Sequence, residues 1–333
     1  MSLETDAAIG GGDDSLLVIL PVFNDWPALG KLLVGLDAAL GGANLAASIL
    51  VVDDGSTSPA PAGWPGGPFA AIDRVSVLTL RRNLGHQRAI AVGLSFVEGR
   101  VPCRAVVLMD ADGEDDPRDV PRLLEQLDRD GGHTVVFAGR SKRSESLAFR
   151  FFYGLFRGLH RVLIGHGVRV GNFSAISRER LSSLVVVSEL WNHYAASVLK
   201  SRQPHSVVPT VRARRLDGES KMNFVGLVIH GLSALSVQSE VVGVRVLVAA
   251  FGLVGLSLLG LAAIILIRLA TDLAIPGWAT TSFGVLLLLL TQTVMFAFLF
   301  SFLIIGGRQA SSFLPSRDYH HFVGPVRTAY QRS

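Results

Sequence analysis

Between Arg245 and Arg268 the chain runs from Val246 to Ile267 without a charged residue, and no other stretch limits its folding so tightly. That length meets the ~20 apolar residues a helix needs to cross a bilayer core. A second run, Ala279 to Ile305, is interrupted by Thr, Ser and Gln292, polar groups that a helix can satisfy internally. Thr271 to Gly277 reads as a short outside turn, and Met222 to Ser239, low in charge, as an interfacial helix leading in. The alternative is a buried helical hairpin in a soluble protein. Against it, the 333 residues are 49% hydrophobic and 17% charged, too apolar for an ordinary soluble chain of this size. Arg308, Arg317, Arg327 and Arg332 follow the second run, so the positive-inside rule puts both termini in the cytoplasm.

The net charge of +4 is spread along the chain and leaves no nucleic-acid footprint. Cys103, the single cysteine, excludes an internal disulfide and a Cys-rich zinc site. Met1 to Ser15, with Glu4, Asp6, Asp13, Asp14 and three consecutive glycines, lacks a signal-peptide pattern and reads as a flexible tail.

Before the apolar runs, short strands alternate with helices. Ser15 to Val22 ends in Asn24-Asp25, and Trp26 to Leu40 then carries leucines at helical spacing. Ser48 to Val52 breaks at Asp53-Asp54-Gly55-Ser56-Thr57, and Pro59 to Pro68 is a loop. Val75 to Leu80 leads through Arg81-Arg82-Asn83-Leu84-Gly85-His86 into a helix from Gln87 to Val97. Ala105 to Met109 opens into Asp110-Ala111-Asp112-Gly113-Glu114-Asp115-Asp116, and Thr134 to Ala138 is a fifth strand. Such alternation predicts a doubly wound, mainly parallel sheet, whose ligands bind outside the C-terminal ends of the strands. Three polar clusters, Asn24-Asp25, Asp53-Asp54 and Asp110 with Asp112, fall at that one edge.

Asp110 and Asp112 are two apart and share a face in extended chain, and their hard oxygens suit Mg²⁺ or Mn²⁺ bound together with substrate phosphates. The competing reading is a solvated acidic turn capping the helix after Pro117. Neither GxGxxG after the first strand nor GxxxxGK[ST] occurs, so a Rossmann site and a P-loop are not indicated.

The segments PVFND, VVDDGS, RNLGH and MDAD, in that order, resemble the family 2 glycosyltransferases of the GT-A fold over residues 15 to 220. The resemblance implies a metal-dependent, inverting transfer of one sugar from a UDP- or GDP-sugar, with Mg²⁺ or Mn²⁺ as cofactor. It carries nucleotide contacts onto Pro21, Asn24, Asp25, Asp53, Asp54, Arg82, Gly85, Asp110 and Ala111, and metal binding onto Asp110, Asp112 and Glu114. Glu114 stands where members making polyprenyl-phosphate sugars often have the Gln of DADLQ, and Asn172 where many have an acidic residue. Glu189 is the nearest carboxylate to take that catalytic place. Arg82 and His86 are either surface charges at a helix start or functional, with Arg82 then meeting the diphosphate or ordering the acidic loops.

ELWNHY occupies the place where processive members have QxxRW, which favours transfer of a single sugar. The segment from Arg212 to Lys221 resembles the R-x-x-G-x-S-K of the polyprenyl-phosphate subgroup. Arg215, Ser220 and Lys221, with the earlier basic pair Arg140 and Lys142, are therefore expected at a lipid phosphate, or else as a positive-inside anchor. Phe149 to Ile164 is amphipathic, with arginines among its aromatics, and suits either a core helix or an interfacial one. Val170 to Ile176 reads as a return strand.

The expected organisation is a tail (1–14), a cytoplasmic GT-A domain (15–221), an interfacial helix (222–240), two transmembrane helices (241–306) and a cytoplasmic C-terminal tail (307–333). The protein would sit in the cytoplasmic membrane as a homo-oligomer, an expectation that rests on the resemblance. Two other functions stay open: transfer to a lipid hydroxyl, with Glu189 or His193 as base, and a non-catalytic scaffold.

Overall fold

The structure, a computed structural model, describes residues 12–140, 158, 170–211, 213–217, 233, 236–271, 277–309 and 313–332, with the side chains of 140 and 304–309 excepted. All but residue 158 of the expected helix at Phe149–Ile164, most of that at Met222–Ser239, and Lys142, Ser220 and Lys221 lie outside the described residues. The chain divides into two compact units, a sheet unit that includes residues 312–333 and a helical unit containing 238–311.

In the sheet unit, strands β1 (Leu16–Val22), β2 (Ala47–Asp53) and β3 (Ile72–Leu80) pair in parallel, and β4 (Ala105–Leu108) joins β1 on its other side, also parallel. β1 and β2 are buried throughout, which is why they read as unbroken apolar runs. Alternate side chains of β1 feed the two cores. Leu17 and Ile19 pack with Ile90, Leu94 and Val97 of α2 (His86–Arg100), while Val18 and Leu20 pack with Leu29, Leu33 and Leu36 of α1 (Trp26–Gly42).

Beyond β4, the antiparallel β6 (Ser174–Ser177) separates it from β5 (Val135–Arg140), which pairs in parallel with β7 (His205–Thr210). Among the described residues the order is β7-β5-β6-β4-β1-β2-β3-β8, with β8 spanning Val323–Gln331. The predicted fifth strand is therefore not the neighbour of the fourth, and the return strand is Ser174–Ser177 rather than Val170–Ile176. β1 to β3 build outward in one direction and β4 in the other. The strand order thus reverses between β1 and β4, where an open α/β sheet leaves a crevice at the C-terminal ends.

The expected C-terminal tail proves different. Val323–Gln331 forms β8, antiparallel to β3 at the sheet's edge, with Leu80 opposite Val323 and Arg74 opposite Gln331. Alternation around Val326, Arg327 and Thr328 is weak, and β8 is half-exposed, so the pairing comes from the unfilled edge of β3 rather than from a strong local signal.

The helical unit holds α6 (Ser239–Ala270) and α7 (Trp278–Gln309), each long and apolar enough to cross a membrane. Both exceed the predicted runs at each end. Their apolar side chains are largely exposed, as Val248, Leu259, Leu266, Met295 and Phe302 illustrate, which a soluble core helix would not tolerate. Gly260 brings α6 against Leu286 of α7, and Ser257 and Thr293 are buried.

Candidate active site

The three polar clusters converge at the C-terminal edge, two of them flanking the crevice between β1 and β4. After β1, Asn24 adopts φ 53, and its carboxamide accepts from Ser58 N (2.9 Å) and donates to Thr57 Oγ1 (2.9 Å). Its own N–H donates to Ser56 Oγ at 2.9 Å, so the loops after β1 and β2 are laced together. Pro21 lies buried in β1 opposite Val52.

The two aspartates after β2 divide their work. Asp53 Oδ1 accepts from Ser56 N at 2.9 Å, turning the DDGS loop. Asp54 receives the N–H groups of Leu84 (2.7 Å) and Gly85 (2.9 Å), one on each oxygen, and Asn83 Nδ2 donates to its carbonyl at 3.0 Å. Burial nevertheless pushes the Asp54 pKa up, against the lowering by those two N–H groups. Gly55, at φ +69, permits the closeness: a Cβ there would lie 2.7 Å from Asn83 N and 2.8 Å from the Arg82 carbonyl carbon. Asp54 is thus the anchor of the RNLGH loop. Of the expected nucleoside pair, Asp53 keeps the freer carboxylate.

After β4, the loop folds around its own acids. Asp110 N donates to Asp115 Oδ2 (3.0 Å), and Glu114 N donates to Asp112 Oδ1 (3.0 Å). Ala111 is buried between the two aspartates. Asp110 Oδ1 lies 3.1 Å from His86 Nε2, and Asp112 Oδ2 lies 3.1 Å from Arg215 Nη1. Desolvation, reinforced by the Asp110 charge, pushes the Asp112 pKa up to about 6 despite Arg215. Desolvation lowers the His86 pKa, but the charge and hydrogen bond of Asp110 outweigh it and the net shift is upward.

Carboxylates held this close favour a cation, and oxygen donors at a strand end suit Mg²⁺ or Mn²⁺. Among the described residues no three acidic, His or Cys side chains stand close enough to hold an ion alone, so the expected trio with Glu114 does not assemble in this conformation. Asp110 and Asp112 fit a divalent ion that takes its remaining ligands from phosphate oxygens and water.

The loop after β7 reaches back over this edge. Arg215 bridges Asp112 and Asp25, with its Nε donating to Asp217 O at 2.8 Å. Lys31 Nζ meets Asp217 Oδ2 at 2.5 Å. Two backbone bonds, Ala213 N to Glu114 O (2.9 Å) and Leu216 N to Asp112 O (3.0 Å), strap the loop to the acidic turn. Arg140 ends β5, opposite Thr210, leaving the same edge.

A second set of contacts was invisible in the sequence. Tyr194 N donates to Gln87 Oε1 (2.8 Å), Gln87 Nε2 donates to Asn172 Oδ1 (3.1 Å), and Asn172 Nδ2 lies 3.0 Å from His86 Nε2. Asn172 therefore enters the site through His86. Glu189, by contrast, is bound by Lys200 Nζ at 2.5 Å and Ser188 Oγ at 3.1 Å, on a 3-10 turn (Ser188–Trp191). Burial raises its pKa, but Lys200 and the other bonds more than offset this and hold the net value low. No described contact joins Glu189 to Asp110 or Asp112. His193 caps α5 (Tyr194–Lys200) by accepting from Ala196 N at 3.3 Å.

The doubly wound sheet thus carries an acidic pair at its switch point and a basic strap over it. The profile of glycosyl transferase family 2 matches residues 17–184, and the chain belongs to that family. Among curated proteins, the undecaprenyl-phosphate 4-deoxy-4-formamido-L-arabinose transferase of Klebsiella pneumoniae is 27% identical over 222 residues, 63% of this chain and 63% of the relative. The transferase of the same name from Sodalis glossinidius is 33% identical over 133 residues, 40% of this chain and 39% of the relative. The chain thus spans just under two thirds of the Klebsiella relative it matches. Glucosyl-3-phosphoglycerate synthase from Mycobacterium tuberculosis, solved with Mn²⁺, UDP-glucose and phosphoglyceric acid, is 15% identical and covers 73% of this chain and 84% of its own, with a TM-score of 0.49.

Proposed function

We propose that the protein transfers a single sugar from a UDP- or GDP-sugar to a polyprenyl phosphate, inverting the anomeric carbon. One observation carries the reading: Arg215, on the segment that resembles a lipid-phosphate motif, sits directly on Asp112 of the acidic pair. A phosphate acceptor brought to Arg215 would lie beside the donor's diphosphate. The named activity of the Klebsiella and Sodalis relatives is of this kind.

In this reaction an acceptor phosphate oxygen attacks the anomeric carbon while the bond to the nucleotide's β-phosphate oxygen breaks, releasing the nucleoside diphosphate. Asp110 and Asp112 would hold a divalent ion, which when bound would supply neutralisation of that leaving group. The protein's own share is placement. Asp53, Asn24 and Pro21 line the nucleoside side, the loop from Arg82 to Gly85 faces the diphosphate, and Arg215 with Arg140, Lys142, Ser220 and Lys221 receives the acceptor. An ionised phosphate requires no general base. A hydroxyl acceptor would, and both candidates have structural duties: Glu189 is ion-paired and His193 caps a helix.

The hairpin interrupts the sheet unit: Val237 precedes it and β8 follows it. That supports both hairpin ends and the catalytic unit lying on one side of a bilayer, the cytoplasmic side by the distribution of arginine. Gln292, exposed near the middle of the second span, supports self-association.

The test is incubation of the purified full-length protein with a panel of UDP- and GDP-sugars, Mg²⁺ or Mn²⁺, and undecaprenyl phosphate. A glycosylated lipid phosphate that disappears in Asp112→Ala, with membrane insertion intact, is the expected result. Full activity in that variant would remove the acidic pair from the mechanism.

A further inference from the structure

Arg82 is held from both sides. On one side Asn83, Leu84 and Gly85 are bound to Asp54, and the Arg82 backbone rests on Gly55 of the DDGS loop. On the other, Arg81 N donates to Phe322 O (2.9 Å) and Arg81 Nε donates to Val323 O (3.0 Å), where β8 begins opposite Leu80. The Arg82 guanidinium itself stands 6.0 Å from the centre of the Phe322 ring. Phe322 in turn packs at a tilt against Trp191 (5.1 Å between ring centres) and edge-on against Phe313 (5.7 Å), and Arg88 lies 5.3 Å over Trp191.

Phe313 and Phe322 both follow the second apolar helix, 240 residues after Arg82 in the case of Phe322. β3 would be complete as a strand without them, and a tail needs neither two packed aromatics nor two hydrogen bonds from Arg81. Besides packing on Trp191, which both rings touch, they hold the Arg81-Arg82 corner where the diphosphate loop starts. An arginine ordered before its ligand arrives loses less side-chain entropy on binding, and an aromatic face restrains a guanidinium without consuming its donors.

We propose that the segment Phe313–Val323 is a positioning element of the donor site, with Phe322 ordering Arg82 for the nucleotide's phosphates, so that donor affinity depends on chain lying beyond the membrane hairpin. The inference rests on the reading of Arg82 as a diphosphate contact. Phe322 touches no substrate; it acts through Arg82.

The experiment uses the full-length protein in detergent with Mg²⁺, measuring UDP and GDP binding by calorimetry and, with the donor found active, both KM values and kcat. Phe322→Leu keeps an apolar side chain of similar bulk and removes the ring. It is expected to weaken nucleotide binding and raise donor KM about fivefold, with acceptor KM and kcat within twofold. Phe322→Trp is expected to restore both, and Phe322→Leu is expected to add nothing to Arg82→Ala. Unchanged nucleotide affinity in Phe322→Leu, additive effects of the two substitutions, or a parallel fall in every constant would overturn the proposal while leaving the transferase reading intact. Thermal unfolding of each variant separates misfolding from positioning: a Phe322→Leu protein that melts early and is not rescued by Trp counts against it. A wild-type protein that binds neither nucleotide would end the transferase reading and this proposal together.

Discussion

Arg215 Nη1 lies 3.1 Å from Asp112 Oδ2, so a residue on the loop after β7 pairs with an acid 103 positions earlier, in the loop after β4. The same guanidinium also reaches Asp25, after β1. One side chain thereby closes the crevice between the two strands where the sheet changes direction, and it occupies the flank of the acidic pair that a divalent cation would approach.

Removing that charge separates two roles. Arg215→Ala is expected to bind Mn²⁺ about tenfold more tightly, because a competing cation beside Asp112 is gone. Transfer should fall by at least tenfold through the acceptor KM. Mn²⁺ titration followed by EPR, beside steady-state kinetics, reads both; a variant with weaker Mn²⁺ binding would contradict the electrostatic account.

Asp112 makes a pH prediction. Its folded pKa of about 6 exceeds the 3.8 of an unperturbed aspartate, so between those values the native protein binds a proton that the unfolded chain does not. Its contribution to stability therefore falls as pH rises from about 4 to 6 and stays unfavourable above. In EDTA at pH 7.5, Asp112→Asn should be more stable than wild type by about 1–3 kcal/mol. The advantage should vanish near pH 4, as denaturant melts at the two pH values would show.

Gly113 sits at φ +81 under Leu216, whose Cγ would be 2.3 Å from an added Cβ. Gly113→Ala should cost about 2 kcal/mol and loosen the strap over the acids. Leu216→Ala in that background relieves the clash but not the backbone strain, so recovery is expected to be partial. Complete recovery would show that sterics alone operate.

Arg178, at the start of α4 (Arg178–Leu184), donates to the carbonyls of Val97, Val101 and Glu98 and so closes the C-terminus of α2. Arg178→Met should lower stability by about 2 kcal/mol, since several carbonyls lose a charged donor. Donor and acceptor KM of the folded fraction should not move. A selective loss of donor affinity would mean that α2 transmits strain to the RNLGH loop.

In α7, Thr291 and Thr293 return their hydroxyls to Leu287 O (2.9 Å) and Leu289 O (2.8 Å), whereas Gln292 is exposed and makes no side-chain hydrogen bond among the described residues. A carboxamide in hydrocarbon gains about 0.5–2 kcal/mol from an interhelical partner. Gln292→Leu should shift the detergent-solubilised protein toward smaller assemblies by light scattering, and an unchanged mass would rule Gln292 out as that contact.

Much of this architecture was written locally. The parallel strands are buried on both faces and so appear as apolar runs, and the acids that follow them, which need hydrogen bonds or counter-charges to be held there, mark their C-terminal edge. The two long helices follow from the absence of charge over a bilayer's width. Those features depend on neighbours in sequence, and the sequence alone determined them. The tertiary structure decided what depends on distant partners: that Asp54 anchors a loop, that Glu189 pairs with Lys200, that Asn172 reaches Asp110 by way of His86, and that the last strand returns to β3 beside the RNLGH loop. Weakly patterned segments such as Val323–Gln331 take their conformation from an open sheet edge, and an edge exists only once the rest of the sheet has formed.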